Sequence, residues 1–108
     1  MAIERFEDIL SWQKSKYLTI TLYKLFKTNK DYSFKDQIQR ASVSIMNNIA
    51  EGFERGSKKD FIKFLYIARA SCGEVRSMLY LADELYYIKK EKFYELHNLC
   101  LEISRLIY

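Results

Sequence analysis

His97 is the single histidine of the chain, and on a helix its neighbours three and four residues away would be Phe93, Tyr94, Cys100 and Leu101. None of these is a carboxylate, and no H-E-x-x-H spacing surrounds it. A surface or partly buried structural histidine is therefore expected rather than a metal ligand or general base. The serines at 42, 44, 57, 71, 77 and 104 have no nucleophile-elbow motif, and one histidine leaves few ways to activate any of them. Glu51 and Glu54 are three apart and could share a helix face, but two acids at a helix end read as solvated charge before they read as a catalytic pair. Cys72 and Cys100 lack C-x-x-C spacing and fall on apolar stripes, so buried reduced thiols are expected rather than a disulfide or a zinc site. The sequence argues against an enzyme, and it implies neither a metal nor a cofactor.

The stretch VSIMNNIAEGFERGSKKDF, residues 43 to 61, raises the question of a phosphate-binding loop. A nucleotide loop requires G-x-x-x-x-G-K-[ST] after a strand, whereas here the pattern is G-x-x-x-G-S-K-K between two helical stretches. The expected structure is a helix stop at Gly56, where a left-handed residue is wanted, followed by a helix start at Ser57, with Asp60 three residues on as in a capping box. An anion could still sit on the exposed amides of that new helix. Arg55, Lys58, Lys59 and Lys63 are accordingly the candidate nucleic-acid contacts, because there cationic side chains join the positive end of a helix dipole.

Further along, Lys59, Ile62, Tyr66, Arg69, Gly73, Arg76 and Tyr80 follow a 3,4,3,4,3,4 spacing, which places them on one continuous helical stripe. Tyrosine and arginine together suit RNA bases and phosphates, and they equally mark protein interfaces. The interface reading is preferred for Tyr66, Arg69, Gly73, Arg76 and Tyr80, because Ile67, Met78, Leu81 and Leu85 widen the apolar arc beyond what one core requires. Arg69 and Arg76 would join a nucleic-acid surface only if an assembly left them exposed. Asn47 and Asn48 point about 100° apart on a helix, so both cannot face the core; an inward Asn48 would be a paired structural amide.

The elements that must position these residues follow from apolar spacing. Trp12, Leu18, Leu22 and Leu25/Phe26 predict a first helix over 9–26, with Asp8 or Ser11 as its N-cap and Thr28 to Asp31 as a polar stop. Phe34, Ile38, Ala41, Ile45, Ile49 and Phe53 predict a second, ending near Gly56. Phe61, Phe64/Leu65, Ala68, Cys72, Val75, Leu79, Ala82 and Tyr86 predict a third, the longest at about 40 Å. Phe93, Leu96, Cys100, Ile103 and Ile107 carry a fourth to the last residue. Four amphipathic helices with short connectors and no competing strand signal describe an all-α, antiparallel up-down-up-down four-helix bundle, one domain over 1–108.

Composition agrees. Apolar residues make up 49% of the 108-residue chain and charged residues 30%, with no proline and three glycines, which suits a compact helical domain. The net charge of +4 is spread with both signs mixed, so attraction to nucleic acid would require folding to gather cations on one face. No run approaches the roughly 20 apolar residues of a membrane span, and residues 1–5 lack the order of a signal peptide. A cytoplasmic protein without a membrane partner is expected.

Phe6-Glu7-Asp8 with Trp12-Gln13-Lys14, Gln39 to Ile45, Asn48 to Phe53, and Ser57 to Phe61 with Phe64 to Ala68 also carry a resemblance to a family. Over nearly its whole length the chain resembles the bacterial four-helix-bundle family known as the 23S rRNA intervening-sequence protein. Where that family usually has Pro-Ser, this chain has Met46-Asn47, so its second helix should be less kinked. The resemblance implies a homopentameric ring and kinship with the accessory protein of diversity-generating retroelements, which binds nucleic acid and a reverse transcriptase. It brings no catalytic residue. The resulting expectation is a non-enzymatic oligomeric scaffold that binds RNA or DNA weakly and could hold it together with a protein partner such as a reverse transcriptase. The alternative is a protein-interaction module with no nucleic-acid role.

Overall fold

The computed structural model describes residues 2–107. A short 3-10 turn at Phe6–Asp8 leads into four helices, α1 Leu10–Leu25, α2 Tyr32–Glu54, α3 Lys58–Glu84 and α4 Lys90–Ile107. No strand occurs among the described residues. Each helix packs on its neighbours in sequence, and α4 closes against α1. Contacts that advance along one helix retreat along the next. Phe53 meets Phe61, Ser44 meets Ser71 and Gln37 meets Glu74, so α2 and α3 are antiparallel. Thr19 with Ser42 and Phe26 with Phe34 show the same for α1 and α2. The up-down-up-down bundle is the observed fold, and the 27 residues of α3 span nearly all of its 43 Å length.

The core is built from the expected stripes. Leu18, Leu22 and Phe26 from α1 and its end meet Ile38, Ile45 and Ile49 of α2, Ala68, Cys72, Val75 and Leu79 of α3, and Leu96, Cys100 and Ile103 of α4. All are buried because a helix with one apolar stripe is stable only when that stripe is removed from water. Trp12 and Leu25 pack half-buried at its rim, and α2 runs unbroken through Met46-Asn47.

Two expectations are corrected. Neither Asp8 nor Ser11 caps α1. Ile9 holds the N-cap position in extended backbone with no side-chain cap, Asp8 belongs to the preceding turn, and Ser11 is buried inside the helix. Tyr86 does not extend the α3 stripe either. The helix ends at Glu84, Tyr86 adopts a left-handed φ of 58° and is 92% exposed, and Tyr87 and Ile88 pack at this end of the core instead.

Candidate nucleic-acid and self-association surfaces

The α2–α3 junction forms as expected. Gly56 has φ +82°, a conformation that costs glycine little and other residues more. Ser57 then starts α3 by accepting a hydrogen bond from the Asp60 amide at 3.1 Å. Arg55, Lys58, Lys59 and Lys63 are all exposed around this corner. They are not equivalent. Arg55 is paired with Glu51 at 3.1 Å and lies over the Phe64 ring at 4.9 Å, so part of its charge is already answered within the chain. Lys58, Lys59 and Lys63 have no ion-pair partner among the described residues. Lys59 and Lys63, four apart, share a side of α3, while Lys58 is turned away by about 100°.

Just inside this corner the two helices come unusually close. A Cβ on Gly52 would stand 2.5 Å from the Phe64 Cβ, so only glycine fits there. A polar chain continues the seam: the Asn48 amide donates to the Ser44 carbonyl at 2.8 Å and to its hydroxyl at 3.0 Å, and that hydroxyl lies 2.8 Å from Ser71 across on α3. Asn48 is thus the paired structural amide, and Asn47 points to solvent.

The stripe on α3 runs along the α3–α4 seam. Tyr66 and Tyr80 are 65% and 53% exposed, and Arg69, Gly73 and Arg76 sit half-buried between them. A groove of about 190 Å³ opens beside Gly73, lined by Arg69, Cys72, Arg76, Cys100 and Ser104. Among the described residues, no carboxylate lines it. Tyr94 on α4 adds another exposed ring, and His97 joins Tyr80 through a 3.0 Å contact between its Nε2 and the tyrosine oxygen while packing on Phe93. On the other flank of α3, Ile67, Leu81 and Leu85 are exposed, whereas Met78 packs partly into the core.

Spacing alone missed the α1–α2 contact. Ser11, Ser15, Thr19 and Ser42 are buried. Ser15 donates to the Ser11 carbonyl at 2.7 Å, and the Thr19 hydroxyl lies 2.9 Å from the Ser15 carbonyl and 3.1 Å from that of Ser42. Small hydroxyl side chains that back-bond within their own helix can be buried without loss. The hint was the four-residue spacing of Ser11, Ser15 and Thr19 in sequence.

Among the described residues, no group of three or more His, Cys, Asp or Glu is placed to hold a metal, and no helix is long and apolar enough to cross a membrane. Nothing in the arrangement indicates catalysis.

A family model described as the 23S rRNA-intervening sequence protein matches residues 7–108. Among solved structures, the chain is similar to a protein of unknown function from the S23 ribosomal protein family of Bacteroides thetaiotaomicron VPI-5482. The two are 29% identical over 91% of this chain and 94% of that one, with a TM-score of 0.84. A comparison with curated proteins gave no match.

Proposed function

The chain belongs to the 23S rRNA-intervening sequence protein family, and from that premise we propose that it is a non-enzymatic, cytoplasmic scaffold that assembles with itself and binds RNA or DNA electrostatically. The observation that carries the reading is the α3–α4 face, where the exposed rings of Tyr66 and Tyr80 flank the half-buried Arg69, Gly73 and Arg76. Aromatic rings and arginines around a small residue suit docking against another copy. A closed homopentamer needs two different patches on each protomer, and the exposed Ile67, Leu81 and Leu85 flank offers a second.

Nucleic-acid binding rests on Lys58, Lys59 and Lys63, with Arg55 contributing less because Glu51 holds it. One chain at +4 attracts a polyanion weakly, whereas a five-membered ring would carry about +20 and repeat each cationic corner around its rim. A protein partner, of which a reverse transcriptase is one kind, would dock on the assembled ring. The alternative of a pure protein-interaction module is favoured only by the Arg55–Glu51 pairing.

Sedimentation and salt-dependent RNA binding test the two halves separately. Wild-type protein should sediment as a closed oligomer, and Tyr66→Asp should dissociate it. RNA affinity should fall steeply with salt, and Lys58, Lys59 and Lys63 changed together to Gln should flatten that slope with the oligomer intact. A monomer at tens of micromolar removes the assembly half. Absence of RNA and DNA binding at low salt removes the other.

A further inference from the structure

Of the three glycines, Gly52 answers to Phe64 and Gly56 to its positive φ, but a Cβ on Gly73 would meet nothing within 4 Å. A glycine inside α3 weakens the helix relative to alanine, and here no packing demands it. What it leaves is the open groove beside it. Cys72 and Cys100, which carry the core across the α3–α4 seam, both line that groove. At about 190 Å³ it is several times the roughly 30 Å³ that a water molecule occupies, so a small polar oxidant fits.

The two cysteines are in contact. As a thiol, Cys72 donates to the Cys100 carbonyl oxygen, with its sulfur 3.2 Å away. As a thiolate it accepts instead. The Cys100 thiol then hydrogen-bonds to it and holds it below the ordinary thiol value despite burial, and the positive charge of Arg76 and the backbone of Ser104 act in the same direction. That contact and burial push the Cys100 thiol up. A buried cysteine in a closed apolar core is inert; these two, each only 1% exposed, have a neighbour, a cation and the groove beside them.

We propose that Cys72 and Cys100 are a peroxide-oxidisable dithiol, reached through the Gly73 groove, with Cys72 the sulfur attacked first and Cys100 the resolving thiol. The Cys72 thiolate attacks one oxygen of hydrogen peroxide, the O–O bond breaks, and hydroxide leaves to take up the released proton as water, giving a sulfenic acid. The Cys100 sulfur then attacks the sulfenyl sulfur. The S–S bond forms, the S–O bond breaks, and the departing hydroxide with the Cys100 proton is a second water. Two electrons pass from the sulfurs to the peroxide, and α3 becomes tied to α4.

Neither step depends on self-association, but the groove lies in the face assigned to it, so wild-type protein and the Tyr66→Asp variant are both treated with hydrogen peroxide and weighed intact. The expected product, in at least the variant, has lost two hydrogens, yields a Cys72–Cys100 cross-linked peptide and returns to starting mass with a thiol reductant. Cys100→Ser should stop at a sulfenic acid that dimedone captures, and Cys72→Ser should give neither product. Arg76→Gln and the groove-filling Gly73→Leu should each slow the reaction several-fold. Two free thiols surviving in both proteins, or oxygen gained without a cross-link, overturns the proposal.

Discussion

Toward α2, α3 presents Phe64 over Gly52 and Ser71 beside Ser44; toward α4 and solvent the same helix presents Tyr66, Gly73, Arg76 and Tyr80. On the first flank the small and polar residues are accounted for by something inside the chain. Gly52 yields to a phenylalanine Cβ, Ser57 caps a helix, and Asn48 is paired. On the second flank the chain itself accounts for less, although Tyr80 touches His97 and Phe93. Gly73 faces open space, two tyrosines stand exposed, and Arg76 has no carboxylate partner among the described residues. A residue type that the fold does not require is where a function is to be sought. That contrast, rather than the number of positive charges, singles out the α3–α4 face.

The same substitution on the two flanks should have opposite signs. Gly52→Ala puts a methyl 2.5 Å from the Phe64 Cβ, an atom close to the backbone, so the helices themselves must separate. Overpacking of that kind costs about 1–3 kcal/mol, more than the roughly 1 kcal/mol that alanine gains in helix propensity. A drop of several degrees in melting temperature is expected, and an unchanged or higher one would mean that the seam is looser than described. Ser57→Ala removes the cap on α3 and should cost about 1 kcal/mol by denaturant titration. Gly73→Ala has nothing to collide with and should stabilise the monomer by about 0.5–1 kcal/mol. If it destabilises instead, Gly73 has a structural reason after all and the contrast between the flanks fails.

The large apolar stripes were legible because Leu, Ile, Val and Phe repeated at three- and four-residue steps put one continuous apolar face on a helix, and helices with such a face pack to bury it. All four helices followed from them. Two kinds of feature were not legible. Hydroxyl residues read as surface, so the buried Ser11, Ser15, Thr19 and Ser42 between α1 and α2 were passed over, although helical back-bonding is what lets them be buried. A helix end without glycine or proline carries no marker, so the apolar spacing runs on two residues past Glu84, to a tyrosine that takes the left-handed conformation usually left to glycine. The stripe of Tyr66, Arg69, Gly73, Arg76 and Tyr80 could be read from spacing, but its place beside α4 and the open groove could not. Those depend on which side of α3 the fourth helix occupies. That Arg55 is held by Glu51 was readable in principle, since the two are four apart in sequence at the end of α2.

The smallest predicted effect concerns a third region, the end of the bundle where the α1–α2 and α3–α4 connectors meet. Asp31 caps α2 by accepting from the Phe34 amide at 3.2 Å, and it also accepts from the Tyr87 hydroxyl at 2.7 Å. The Tyr87 bond above all, then the Phe34 bond, lowers the Asp31 carboxyl below its ordinary 3.8, while Asp31 raises the Tyr87 hydroxyl above its ordinary 10.0. A depressed carboxyl stabilises the fold above its unfolded value and loses that contribution as pH falls through the folded one. A raised hydroxyl stabilises below its unfolded value and loses that contribution as pH rises through the folded one. The contact should therefore give a plateau of stability bounded by an acid limb below about pH 4 and an alkaline limb above about pH 10. Asp31→Asn keeps a good capping residue and an acceptor oxygen but cannot titrate, so it should shallow the acid limb with little change at neutral pH. Tyr87→Phe should do the same to both limbs while leaving the ring against Phe34. Equal acid sensitivity in wild type and Asp31→Asn would show that this end is held by packing alone, through Phe26, Phe34 and Tyr87. Such a result would align it with the flank toward α2, whose features the chain explains by itself.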